Sequence, residues 1–226
     1  LRNPQHRYDK EYQVGFRKFL DKHTSAKPLN HKGNWFYFPW NNTVVHFLQD
    51  GWHQELRTGR NRNLINQEEQ AKFYNATIGV LGMSVGSHVA LTIAMTGGAR
   101  HIKLADPDVL SGSNLNRIRT GFNNLDVPKT IAVARQIYEI NPYAIVEIFP
   151  EGLTENNMQS FLKGNSKLDV LVEEMDNPYF KLLVREYARK YRIPVIMAAD
   201  NADSIIVDVE RYDWNKKLPL LHGILG

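Results

Sequence analysis

Three observations predict an α/β fold, Rossmann-like and doubly wound, with a mostly parallel sheet, helices on both faces and an N-terminal helical and aromatic extension. From Thr77 to Val209, short apolar runs alternate with stretches at helical spacing. The first run ends in a Gly/Ser-rich turn, Gly82-Met-Ser-Val-Gly-Ser87, at the start of a helix. The length, 226 residues, suits one such domain with an extension and would crowd two.

Residues 1 to about 50 are polar, aromatic and irregular. Tyr12 to Asp21 reads as a short helix, Asn34 to Trp40 as an aromatic cluster, and Thr43 to Leu48 as strand. Aromatic stripes more often bury area than bind cofactors, so this is first a packing arm and second a lid or docking surface. Gln54 to Tyr74 reads as two helical pieces, the first with Arg57, Arg60 and Arg62. Then come strand Thr77–Leu81, helix His88–Thr96, strand Ile102–Ala105 and a helix from Lys129 marked by Ile131, Val133, Ala134, Ile137 and Ile140. Ala144–Phe149 and Leu168–Val172 read as strands around a helix at Glu155–Leu162. Helix Tyr179–Tyr191 and strands Ile193–Ala198 and Ser204–Val209 complete the pattern. The expected organisation is 1–75 as a packing or dimerisation arm, 76–215 as a nucleotide-binding domain, and 216–226 as a tail or linker to a further domain.

The net charge of +4 is spread without a dominant Lys/Arg block, which argues against a nucleic-acid role. No apolar run nears the roughly 18 residues of a membrane span. The start carries no secretory pattern, so a cytoplasmic protein is expected. The cysteine count of zero removes disulfides, thiolate zinc ligands and a catalytic thiol together.

A loop between strand and helix leaves backbone N–H groups aimed outward at the positive end of the helix dipole, which suits a phosphate. The candidates there are Gly82, Ser84, Gly86 and Ser87. Met83 stands where the dinucleotide pattern has no side chain, and is expected to narrow a phosphate's approach. Asp106 ends the next strand about 20 residues on, where an acid accepts ribose hydroxyls. Asn114, Arg117 and Lys129 follow near the same strand ends. Two cations there suit an enzyme that breaks a triphosphate, because charge on the α-phosphate and the leaving pyrophosphate must be neutralised. For Lys129 the plain alternative is an exposed lysine. Asp176, after a buried strand, is the choice for Mg²⁺. Its plain alternative is capping the next helix, for which Asn177 competes.

The order strand, Gly/Ser loop, helix, Asp106-Pro-Asp108, Ser113-Asn-Leu-Asn-Arg117, Pro128-Lys129 and Asp176-Asn177 resembles the ThiF/MoeB/E1 superfamily over about residues 60 to 212. Arg60-Asn-Arg-Asn63, Glu173-Glu174-Met-Asp176 and Leu221-His-Gly-Ile-Leu-Gly226 look most like the ThiF-like domain of bacterial proteins that fuse it to a nitroreductase-like domain. The resemblance implies ATP with Mg²⁺, no structural zinc in a chain without cysteine, and adenylation of a carboxylate with release of pyrophosphate. The acid would be the C-terminus of a ubiquitin-like or sulfur-carrier protein, or a small molecule. It further implies a homodimer in which Arg62 reaches the neighbouring subunit's triphosphate. The plain alternative for Arg62 is a solvated helix charge. Glu173 and Glu174 replace smaller residues usual before this Asp.

Three other readings stand beside this one. Gly82-Met-Ser-Val-Gly86 also spells the nucleophile elbow of α/β-hydrolases, with Ser84, then Asp169 or Asp176, then His222 in triad order. A nucleotide-binding or scaffold domain without turnover fits the incomplete glycine pattern. Dehydrogenase use of NAD leaves Arg117 and Lys129 unexplained.

Overall fold

The computed structural model describes residues 9–25, 27–201 and 203–223. Part of the tail phrase, residues 224–226, and the first eight residues of the expected arm therefore lie outside the described residues. The chain divides into two compact units, Leu1–Leu56 and Arg57–Gly226.

In the first unit, helix α1 (Lys10–Ser25) has no buried residue and exposes Val14, Phe16 and Phe19. Strands β1 (Asn34–Phe38) and β2 (Thr43–Phe47) form an antiparallel hairpin in which Trp35 stacks on His46 at 4.5 Å between ring centroids. The aromatic stretch read as a cluster is thus itself a strand. Its aromatic residues face His46, Val45, Val44 and Thr43 across the ladder, where aromatic and β-branched side chains fit a pleated surface. Helix α2 (Asp50–Arg57) runs to the border between the units.

The second unit opens with a 3₁₀ turn, Asn61–Asn63, and helix α3 (Gln67–Asn75), whose start is closed by a reciprocal capping box of Asn66 and Glu69. The elements that follow are β3 (Thr77–Leu81), α4 (Val85–Met95), β4 (His101–Ala105), α5 (Lys129–Ile140), β5 (Ile145–Phe149), α6 (Met158–Lys163), β6 (Val170–Glu173), α7 (Pro178–Tyr191), β7 (Val195–Asn201) and β8 (Ser204–Glu210). Strand order is β5-β4-β3-β6-β7-β8, parallel except for β8, which runs antiparallel to β7 at the edge. After β3 the chain winds outward through β4 and β5, then crosses back to β6 and winds the other way. The switch point, between β3 and β6, is where such sheets bind ligands.

Both faces of the sheet's central strands are covered, while the edge strand β8 leaves Ile205, Ile206 and Val207 exposed. Ile78, Val80, Ile102 and Leu104 pack with Ala90, Ala94, Val133 and Ile137 from α4 and α5. Leu81 and Leu171 pack with Phe161, Leu162, Val184 and Ala188 from α6 and α7. Each fully buried aliphatic side chain contributes about 1.5–3 kcal/mol, and these two layers hold the strand ends in fixed register. Among the described residues no helix is long and apolar enough to cross a membrane.

Candidate functional site

Leu81 pairs with Ala105 on one side and with Glu173 on the other, so β3, β4 and β6 end level. The three segments that leave these strands therefore meet at one mouth. Gly82, at φ +81°, starts the first of them. Its N–H donates to the Ala105 carbonyl at 2.9 Å, and a Cβ here would sit 2.4 Å from the Glu174 carbonyl oxygen. Both the backbone angle and the space require glycine. Gly86 has a related role one turn later: a Cβ on it would come within 2.9 Å of Val80 Cγ1, so its absence lets α4 lie close on β3.

Ser84 occupies the N-cap position of α4, yet no side chain caps the helix there. The Ser87 hydroxyl instead donates back to the Ser84 carbonyl at 2.7 Å. The first-turn amides of α4 are thus left without a side-chain acceptor at the positive end of the helix dipole, an arrangement that suits an external anion. Met83 corrects one expectation. Its side chain is fully buried in the core with Ile78, Val80 and Ala90, so it turns away from the loop's mouth and does not narrow it. Apolar burial decides its direction.

Asp106 is buried, and its carboxylate is already engaged: Oδ2 accepts the Met83 N–H at 2.5 Å, and Oδ1 accepts the Asp108 N–H at 2.8 Å. It fixes the loop after β3 to the end of β4. A carboxylate offers about four acceptor positions, so capacity for a ribose hydroxyl remains. Lys129, in the first turn of α5, is only 7% exposed, which removes the reading of a solvated lysine. Its ammonium lies 2.6 Å from Asp108 Oδ2 and 3.7 Å from Asp106 Oδ1. A buried cation at the positive end of a helix is unfavourable alone, and these two carboxylates compensate it. Asp108 was not among the candidates; its sequence signal was its place in Asp106-Pro-Asp108.

Arg117 reaches the loop directly. Nε donates to Ser84 Oγ at 3.3 Å, while Nη1 donates to the Ser113 carbonyl at 3.0 Å and to Asn116 Oδ1 at 3.1 Å. Asn114 is buried, and its Oδ1 accepts the Ser111 N–H at 3.0 Å, closing the 3₁₀ turn Gly112–Asn114 from which Arg117 projects.

Beyond β6, Glu173 is fully buried. It accepts the Met175 N–H at 2.8 Å and pairs with Lys181 at 3.1 Å and Arg185 Nη1 at 2.6 Å. Arg185 Nε in turn meets Glu210 Oε2 at 2.5 Å, so Glu173 belongs to an internal charge network. Glu174 accepts the Ala198 N–H at 2.9 Å, and burial holds its carboxyl above the usual range. Asn177 caps α7 by accepting the Tyr179 N–H at 3.0 Å and the Phe180 N–H at 3.3 Å, followed by Pro178 at the first helical position. Asp176 is thereby released from capping and is exposed in the loop, two residues from the Glu174 carbonyl that touches Gly82. Arg62 lies exposed in the Asn61–Asn63 turn and is not tied to the loop by any of the contacts above.

The hydrolase reading is corrected by the same geometry. Asp169 accepts the Thr77 N–H at 2.8 Å, at the opposite ends of the strands from Ser84. His222 Nε2 pairs with Asp208 Oδ1 at 2.5 Å on the edge strand β8, three strands from β3. Among the described residues the side-chain contact of Ser84 Oγ is with Arg117 Nε, a donor, and not with an imidazole.

A doubly wound sheet with an uncapped helix start at its switch point, and cations gathered beside it, is a Rossmann-like nucleotide-binding domain. The chain belongs to the ThiF family, whose model matches residues 58–203. It is 38% identical to the Mycobacterium tuberculosis protein MT1398 over 216 residues, covering 96% of this chain and 29% of that protein. It is 24% identical to the sulfur carrier protein adenylyltransferase of Thermus thermophilus, covering 72% of this chain and 57% of the relative. Among solved structures it is similar to Escherichia coli tRNA N6-threonylcarbamoyladenosine dehydratase in complex with ATP. That match has a TM-score of 0.60 and 26% identity, over 67% of this chain and 61% of that one. The chain thus spans less than two thirds of each of these proteins.

Proposed function

We propose that the domain is an E1-like adenylyltransferase that activates a carboxylate as an acyl-adenylate and releases pyrophosphate from ATP. The observation that carries this reading is the contact of Arg117 with Ser84 at the uncapped start of α4, with Lys129 held beside it on Asp106 and Asp108. ATP bound to the Escherichia coli structure and adenylyl transfer in the name of the Thermus relative support it. In this reading the phosphates lie over Gly82 to Ser87, and Asp106 accepts a ribose hydroxyl. Arg117 and Lys129 neutralise the charge that grows as the carboxylate oxygen attacks the α-phosphorus and the bond to the β-phosphate breaks. Asn114 assists by holding the turn that carries Arg117. No protein nucleophile is needed, only placement and charge, which suits a chain without cysteine.

Among the described residues no group of three His, Cys, Asp or Glu side chains is gathered for a metal. Magnesium does not require one, since it keeps waters and phosphate oxygens and takes one or two carboxylates. Asp176 would hold the ion, which supplies further neutralisation of the phosphates.

The acid is a carrier-protein C-terminus or a small molecule, and the cytoplasm supplies the ATP. Arg62 reaches the triphosphate of a second copy in a homodimer, with 1–75 as arm and 76–215 as nucleotide domain. A fused nitroreductase-like domain, implied by the resemblance of Arg60-Asn-Arg-Asn63 and Glu173-Glu174-Met-Asp176, is part of the proposal. A second reading, a nucleotide-binding domain without turnover, draws support from Lys129 being already paired with Asp108.

The test is ATP–pyrophosphate exchange screened against carrier tails and amino acids, beside Arg117→Ala and Asp176→Ala. One acid should support exchange, and Arg117→Ala should slow it about 100-fold or more. ATP binding by calorimetry without exchange for any acid selects the second reading. Exchange indifferent to both variants sinks the proposed site.

A further inference from the structure

His88 stands in the first turn of α4, and nothing in the nucleotide reading uses it. Its Nε2 lies 2.6 Å from the main-chain carbonyl oxygen of Arg117. A carbonyl only accepts, so Nε2 carries the proton and donates. The same arginine returns a bond from its side chain, Nε to Ser84 Oγ. Arg117 is therefore held from two sides by one rigid unit, the loop and opening turn of α4.

The rest of the Ser111–Asp126 segment is secured from elsewhere. Leu110 and Ile118 pack with Ala132 of α5 in a small separate core, and Gln136 donates to the Arg119 carbonyl at 2.7 Å. Those contacts fix the segment to α5. Since α5 packs on α4, they also bring the segment near α4, and His88 and Ser84 supply the direct hydrogen bonds between Arg117 and the start of α4. A guanidinium that must neutralise charge in a transition state loses most of its effect when displaced by about 1 Å.

We propose that His88 is a positioning residue: its imidazole N–H to the Arg117 carbonyl sets Arg117 at the start of α4, so that the guanidinium is pre-placed for an anion bound there. The anion in question is the triphosphate of the proposed function, on which this inference rests for its consequence but not for its geometry.

The experiment uses the full chain and three forms: wild type, His88→Ala and His88→Gln. Glutamine carries an N–H donor at the same number of bonds from Cβ and should restore the contact. Hydrogen exchange without nucleotide comes first. Amides of residues 113–120 should exchange faster in His88→Ala and at the wild-type rate in His88→Gln, with melting temperatures alike. Calorimetry with MgATP follows. His88→Ala should bind about 5- to 10-fold more weakly, the worth of one lost hydrogen bond, with His88→Gln close to wild type. In an Arg117→Ala background the change at residue 88 should have no further effect on MgATP binding, while the exchange effect remains, since the main-chain carbonyl of residue 117 is kept.

Unchanged exchange of residues 113–120 in His88→Ala overturns the inference, as does an undiminished loss of MgATP affinity on His88→Ala in the Arg117→Ala background. A wild-type chain that binds no MgATP overturns the proposed function instead. The exchange result then still decides whether His88 holds Arg117.

Discussion

Gly82 is the residue on which the mouth of the sheet depends most directly. Its positive φ and its approach to the Glu174 carbonyl leave no room for a methyl group. Gly82→Ala is expected to lower stability by about 2 kcal/mol or more, read from urea denaturation. Lys129 makes a different argument. Removing its charge leaves Asp106 and Asp108 without their shared counter-ion beside the proposed phosphate site. Lys129→Met should weaken MgATP binding by at least about 30-fold in calorimetry. Glu174 adds a dependence on pH. Burial raises its carboxyl above the ordinary 4.5, so the folded chain holds that proton more tightly than the unfolded chain. Its contribution to stability is therefore fully present below about pH 4.5 and is lost as pH rises through the folded value. Glu174→Gln keeps an acceptor for the Ala198 N–H without the charge. Its melting temperature should exceed that of wild type at neutral pH, and the difference should shrink as pH falls toward 4.

At the scale of elements, local chemistry made much of the second unit readable. Runs such as Thr77–Leu81 are short, β-branched and fully buried, and their alternation with helices forces a parallel sheet. Asn177-Pro178 carried both the cap and the first helical residue of α7 in its own sequence. Asn177→Ala should cost about 1 kcal/mol in thermal or urea unfolding, with little effect on nucleotide binding. The aromatic stretch at Asn34 to Phe38 was less readable, since a two-stranded ladder depends on cross-strand pairing that no single run displays. The direction of Met83 was also hidden. Whether a loop side chain turns to the core or the mouth depends on the cavity left by Ala90 and Ala94, residues of the following helix.

For the whole molecule, the candidate phosphate loop and Asp106 were visible because each lies at a strand end, where position along the chain predicts position in space, whereas Arg117 and Lys129 lie further along and are brought back to that end by the fold. The charge network of Glu173, Arg185, Glu210 and Tyr212 was not visible. Its members are scattered along β6, α7, β8 and the segment after it, and read singly as ordinary surface charges. Yet Arg185 is entirely buried between two carboxylates, and burial, together with the hydrogen bond that the Tyr212 hydroxyl donates to Glu210, pushes the phenol well up. Leu221 also donates its N–H to Glu210 at 2.8 Å, so the segment after β8 is tied to the same acid. Arg185→Met alone should cost about 3–5 kcal/mol in urea unfolding, because it strands two buried acids. Combining it with Glu173→Gln and Glu210→Gln should recover part of that loss.

The backbone contact between Gly82 and Glu174 leaves the tips of β3 and β6 no slack against each other. Any bulkier residue at position 82 would wedge the two tips apart and so prise open the crevice that they border.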